Sequence, residues 1–155
     1  VEVLYLKSIC PGKFLIIISG ETSYVNDCIN YGIRLGNKYI VDSFIINNIS
    51  KEIINGLKHK YPKLDNIKSV GVVETNKVCA GIKMLDKTLK SGDVVLLKLQ
   101  LSFAIAGKLV YIVGGDLSSL EYAIEESKSV VKDKDIIYTT AIPSVDSEVI
   151  KNLIQ

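Results

Sequence analysis

Along Ser69–Glu74, apolar and polar side chains alternate, the mark of a short half-buried strand. From Lys77 to Leu89 the period lengthens, and Val78, Ile82, Leu85 and Leu89 fall at helical spacing. Ser91-Gly92-Asp93 ends that helix, with Gly92 where a C-cap is expected. Val94–Leu99 and Lys108–Val113 are apolar runs of strand length, joined by an apolar loop from Gln100 to Gly107. Gly114-Gly115-Asp116 then turns into a second helix, with either Asp116 as N-cap or Ser118 and Glu121 as a capping box. Leu120, Ala123, Ile124, Ser127 and Val131 form its inward face. Ile136–Ala141 is a last strand, and a short helix follows Pro143. The order β-α-β-β-α-β predicts an α+β fold, a ferredoxin-like antiparallel four-stranded sheet with its helices on one face.

The pattern occurs almost twice. Gly12-Lys13-Phe14-Leu15-Ile16-Ile17-Ile18-Ser19-Gly20-Glu21 returns as Gly107-Lys108-Leu109-Val110-Tyr111-Ile112-Val113-Gly114-Gly115-Asp116. Val25 and Ile29 answer Leu120 and Ile124, and Glu52-Ile53-Ile54 with Leu57 answers Glu148-Val149-Ile150 with Leu153. Such a period is too long for a solenoid and implies a duplicated domain. The expected division is residues 1–57 for the first copy, 58–66 for a linker and 67–155 for the second. The first copy has no counterpart of the opening strand and helix. It is therefore expected either to have lost them or to be degenerate. Small copies of this kind bury only about 60% of their unfolded surface, so mutual packing or oligomerisation is expected.

Composition narrows the function. The 155 residues are 48% hydrophobic with a net charge of +2. The apolar runs fall far short of the roughly 20 residues of a membrane span. Aromatic residues make up 7%, and no basic stripe is concentrated anywhere, so neither nucleic acid nor a membrane is an expected partner. Three cysteines without close pairing do not form a disulfide framework and suit a reducing, cytoplasmic setting. His59, the only histidine, sits in the connector with no partner for a nucleophilic triad, and no constellation supports an enzyme. Gly12-Lys13 and Gly114-Gly115-Asp116 lack phosphate-loop spacing and are expected to be turns.

The copy resembles the bacterial microcompartment shell domain. Gly71-Val72-Val73-Glu74-Thr75 is similar to that family's opening strand, Leu89-Lys90-Ser91-Gly92-Asp93-Val94 to its helix-to-strand junction, and Val113-Gly114-Gly115-Asp116 to its turn into the second helix. Tandem copies resemble the trimeric members, in which three duplicated chains imitate a hexamer. Ser8-Ile9-Cys10-Pro11-Gly12-Lys13-Phe14 and Tyr39-Ile40-Val41-Asp42-Ser43 fit that subgroup.

The resemblance implies a homotrimer in a microcompartment shell, meeting other shell proteins at facet edges. It also implies that Ser8, Ile9, Pro11 and Gly12 of one copy, and Ser102, Phe103, Ala104 and Ile105 of the other, line a central pore. From the residues alone, Cys10 is either an incidental loop thiol or a ligand. The resemblance implies the second: three Cys10 thiolates on the axis holding one [4Fe–4S] cluster per trimer, which normally takes four cysteines. The role so implied is electron transfer across the shell or cluster delivery, with an encapsulated or cytosolic redox enzyme as partner. Lys90 ends a helix, where a cation is favourable by about half a kcal/mol, and the resemblance implies a role at the edge between tiles. Cys28 and Cys79 are expected to be small buried hydrophobes. Two other readings stay open, a metal-free pore trimer for metabolites and a duplicated ferredoxin-like small-molecule sensor.

Overall fold

The computed structural model describes residues 1–62, 66–101 and 107–154. The second copy forms one sheet from β3 (Ser69–Thr75), β4 (Val94–Leu101), β5 (Leu109–Gly115) and β6 (Ile136–Ile142), all antiparallel in the order β4-β5-β3-β6. Helices α3 (Val78–Ser91) and α4 (Leu117–Ser127) cover one face. Strand alternation puts Val73, Tyr111, Val113, Leu96 and Leu99 on that face, against Leu85 of α3 and Leu120 and Ile124 of α4. The opposite face carries Val70, Leu97 and Ile112, which pack on Ile150 of α5 (Ser147–Ile154). The α+β expectation holds, but the helices do not share one face. The sheet's second face is apolar too and needs its own cover, and α5 supplies it.

Two local expectations change. Gly92 follows α3 in an extended conformation, φ −146°, and not as a left-handed cap. Its requirement is steric, because a Cβ there would lie 3.0 Å from the Ser119 carbonyl oxygen and 3.0 Å from Ala123 Cβ of α4. Asp116 stands at the α4 N-cap without a side-chain capping bond, so neither it nor the Ser118–Glu121 capping box operates.

The first copy is a two-stranded sheet, β1 (Glu2–Cys10) against β2 (Lys13–Ser19), followed by α1 (Thr22–Gly36) and α2 (Lys51–Leu57). β6 of the second copy pairs with β3 alone. Residues 1–57 contain no counterpart of β3, and among them the stretch 40–46 forms no strand. They contain no counterpart of α3 either, and α1 fully buries none of its side chains.

The copies meet through α2. Ile53 is buried against the second copy's core, and Gly56 lies so close to β4 that a Cβ would come 2.9 Å from Leu96 Cδ2. The outer edge of β4 is closed by side chains. The Leu96 N–H donates to Glu52 Oε2 at 3.0 Å, and the Leu99 N–H donates to the Tyr61 hydroxyl at 3.1 Å. Satisfying an edge strand in this way removes a site of unwanted strand pairing.

Candidate functional site

Cys10 is the last residue of β1, paired across the hairpin with Lys13. Pro11 and Gly12 make the turn, and Gly12 takes φ +79°, a conformation that glycine adopts without steric cost. The Ser8 hydroxyl donates to the Cys10 carbonyl at 3.0 Å and ties the strand end down. The apex meets the second copy at Gly107, where a Cβ would lie 3.5 Å from Ile9 Cδ1, 3.8 Å from Lys13 Cδ and 3.9 Å from Cys10 Sγ. The Cys10 loop therefore sits at the foot of the loop that occupies the corresponding place in the other copy. Ser102, Phe103, Ala104 and Ile105 lie outside the described residues.

Cys10 is 7% exposed in the single chain. Among the described residues, no three or more histidine, cysteine and carboxylate side chains gather as a metal site within one chain. As a donor set, Cys10 fits a soft-metal site assembled from several chains, one thiolate from each.

The other thiols separate from it. Cys28 is exposed on α1, contrary to the buried role expected of it. Its counterpart Ala123 is buried beneath α3, and residues 1–57 supply no such helix over α1. Cys79 is half-buried near the start of α3, and burial, followed by the Asp42 carboxylate, pushes its thiol up to about 12 against the opposing Lys83. Such a thiol is a poor nucleophile at neutral pH.

Lys90 stays partly exposed, and its ammonium is engaged within the chain. It donates to Asp86 Oδ2 at 2.5 Å and to the Asn48 carbonyl at 2.8 Å. Asp86 also accepts the Ser50 N–H at 2.8 Å, so this group ties α3 to the first copy. A shallow pocket of about 190 Å³ lies there, lined by Ile46, Lys83, Asp86, Lys87, Lys90 and Val130. Lys108 pairs with Glu74 at 3.3 Å, a bond within the second copy. Sequence reasoning passed over Glu52 and Tyr61. The recurrence of Glu52 as Glu148 was the one available signal, and Tyr61 has none.

Fold and hairpin together describe a duplicated α+β domain in which the first copy's hairpin apex lies against Gly107 of the second. The chain belongs to the BMC-domain family, the shell domain of bacterial microcompartments, whose family model matches residues 1–49 and 69–145. It is 33% identical over 147 residues to the bacterial microcompartment shell protein PduT of Citrobacter freundii, spanning 92% of this chain and 78% of that protein. A microcompartment protein of Desulfitobacterium hafniense has the same fold, with TM-score 0.86 and 24% identity over 97% of this chain and 83% of that one. The chain is thus a structural shell protein of the microcompartment, and this replaces the sensor reading. Among the described residues, no helix is long and apolar enough to cross a membrane.

Proposed function

We propose that this shell protein is a pseudo-hexagonal homotrimeric facet tile in which three copies of Cys10 converge on the axis to hold one [4Fe–4S] cluster. The observation that carries the reading is the position of Cys10 at a hairpin apex, against the foot of the second copy's loop. A rotation axis past that point turns a single thiol per chain into three. When bound, the cluster supplies one-electron transfer, across the shell or towards a redox enzyme, without turnover of a substrate. The chain's own part is positional. Ser8 fixes the strand end and the Pro11-Gly12 turn holds the loop tight; backbone N–H groups at Gly12 and Lys13 would be the donors to cluster sulfurs. Neighbouring shell proteins would meet the tile at its edges, where Lys90 is the residue proposed for that contact.

A metal-free conduit has one observation in its favour, the shallow exposure of the thiol in the single chain. Electron paramagnetic resonance of anaerobically purified, dithionite-reduced protein separates the two. The cluster reading expects an iron–sulfur signal that disappears in Cys10→Ala. A silent spectrum from protein reconstituted anaerobically with iron and sulfide supports the conduit.

A further inference from the structure

A second concentration of charge lies along α3. Lys83, Asp86, Lys87 and Lys90 recur at i, i+3, i+4 and i+7, the spacing that stacks side chains on one side of a helix. All four line the shallow pocket, together with Ile46 of the first copy and Val130 of the turn after α4. Both copies therefore build the pocket, and Ile46 and Val130 give it an apolar wall beside the lysines.

The ammonium groups outnumber the anions that serve them. Asp86 is 7% exposed and already accepts from Lys90 and from the Ser50 N–H. Lys87 has Glu126 at 3.9 Å, with both side chains more than a third exposed, an ion pair that contributes little. The Asp42 carboxylate is occupied one turn back along α3, where it accepts from the Cys79 thiol. Lys83 is half-buried, and its ammonium lies 4.8 Å from the centre of the Phe44 ring. A ring face attracts a cation but leaves its N–H donors free for an anion. Three lysines against Asp86 and Glu126 leave an excess of positive charge at the pocket.

We propose that this pocket binds a compact dianion, a free phosphate or the phosphate group of a small ester, bridged between Lys83 and Lys87. Side chains four apart on a helix stand about 5–6 Å from each other at Cβ, a span that two flexible lysines close on one tetrahedral anion. Lysine recognises phosphate as a point charge, and an apolar wall strengthens that attraction relative to open water. Lys90 stays on Asp86, so the bridge uses only the two ammoniums that lack a firm partner. Glu126 is the internal competitor, and its long, exposed pair lets it move aside.

The test is a titration of the isotope-labelled chain with inorganic phosphate at fixed ionic strength, followed in amide correlation spectra, with ethyl phosphate in parallel. Shifts at Ile46, Lys83, Lys87 and Val130 should saturate together with one dissociation constant. Lys83→Gln and Lys87→Gln should each weaken binding at least fivefold, the loss of one charge-assisted contact. Glu126→Gln should tighten it about twofold by removing a weak competitor. Lys77→Gln should leave it unchanged, because Lys77 is paired with Asp135 away from the pocket. Tighter binding of ethyl phosphate assigns the site to an ester whose carbon rests on Ile46 and Val130, and equal binding assigns it to the free anion. The spectra themselves report whether each variant is folded. Shifts that grow without saturating in the native chain, or that persist unchanged in Lys83→Gln/Lys87→Gln, refute the site.

Discussion

Phe14 and Leu109 occupy the same place in the two copies, yet Phe14 is 73% exposed and Leu109 is fully buried. Ile16 and Tyr111 differ in the same way, as do Cys28 and Ala123. The local sequences are close, so the difference comes from what lies across from them. Where β3 and α3 are present, an apolar strand becomes core. Within residues 1–57, which supply no counterpart of either, the same pattern lies on the surface. Hydrophobic periodicity specifies which face a strand offers, and only long-range partners decide whether that face is buried.

The sharpest way to break this contrast is a matched pair of truncations. Leu109→Ala should cost about 2–5 kcal/mol of unfolding free energy, the range for emptying a sealed core position. Phe14→Ala should change stability by about 0.5 kcal/mol or less, as substitutions at open positions do. Urea unfolding followed by circular dichroism measures both, and equal losses would erase the distinction between the copies.

A smaller effect follows from Tyr111. Its hydroxyl shares a buried 2.9 Å hydrogen bond with Thr88, and burial pushes the phenol from its ordinary 10.0 up to about 12, against the lowering effect of that bond. Because the folded value is the higher one, its contribution is fully present below pH 10 and fades as pH rises towards 12. Tyr111→Phe should cost about 1 kcal/mol at pH 7. It should also flatten the loss of stability between pH 10 and 12, and unfolding midpoints across that range report the change.

Lys90 joins the copies more weakly. Lys90→Ala should cost less than about 1 kcal/mol, since its ion pair is partly exposed. Lys90→Asp should stop the growth of two-dimensional sheets in electron micrographs while leaving the oligomer intact. Unchanged sheets would remove Lys90 from the tile edge. The subtlest contrast is in thiol kinetics. At pH 7.5 a maleimide should label exposed Cys28 first, with buried Cys10 and half-buried Cys79 well behind, the Cys79 thiol being pushed up to about 12. Peptide mapping of a labelling time course gives the order.

Much of the second copy was legible because its periods switch cleanly between Ser69–Glu74 and Lys77–Leu89, and its turns are marked by glycine. The Cys10 apex was legible for the same local reason, the Pro11-Gly12 turn that follows it. The face chosen by α5 was not, because a short apolar helix does not say which side of a sheet it will cover. The extended conformation of Gly92 was not legible, since the close approach of Ser119 and Ala123 of α4, not a cap, sets the residue there. Glu52 and Tyr61 close the β4 edge from far along the chain, and no local pattern announces such a contact.

The account stands on thiols gathered by symmetry, and native mass spectrometry under anaerobic conditions reads both parts together. It predicts an assembly of three 17.0 kDa chains carrying the added mass of one [4Fe–4S] cluster, with Cys10→Ala keeping the trimer and losing that mass. A trimer that gains no mass after anaerobic reconstitution, or a cluster that survives Cys10→Ala, would contradict it.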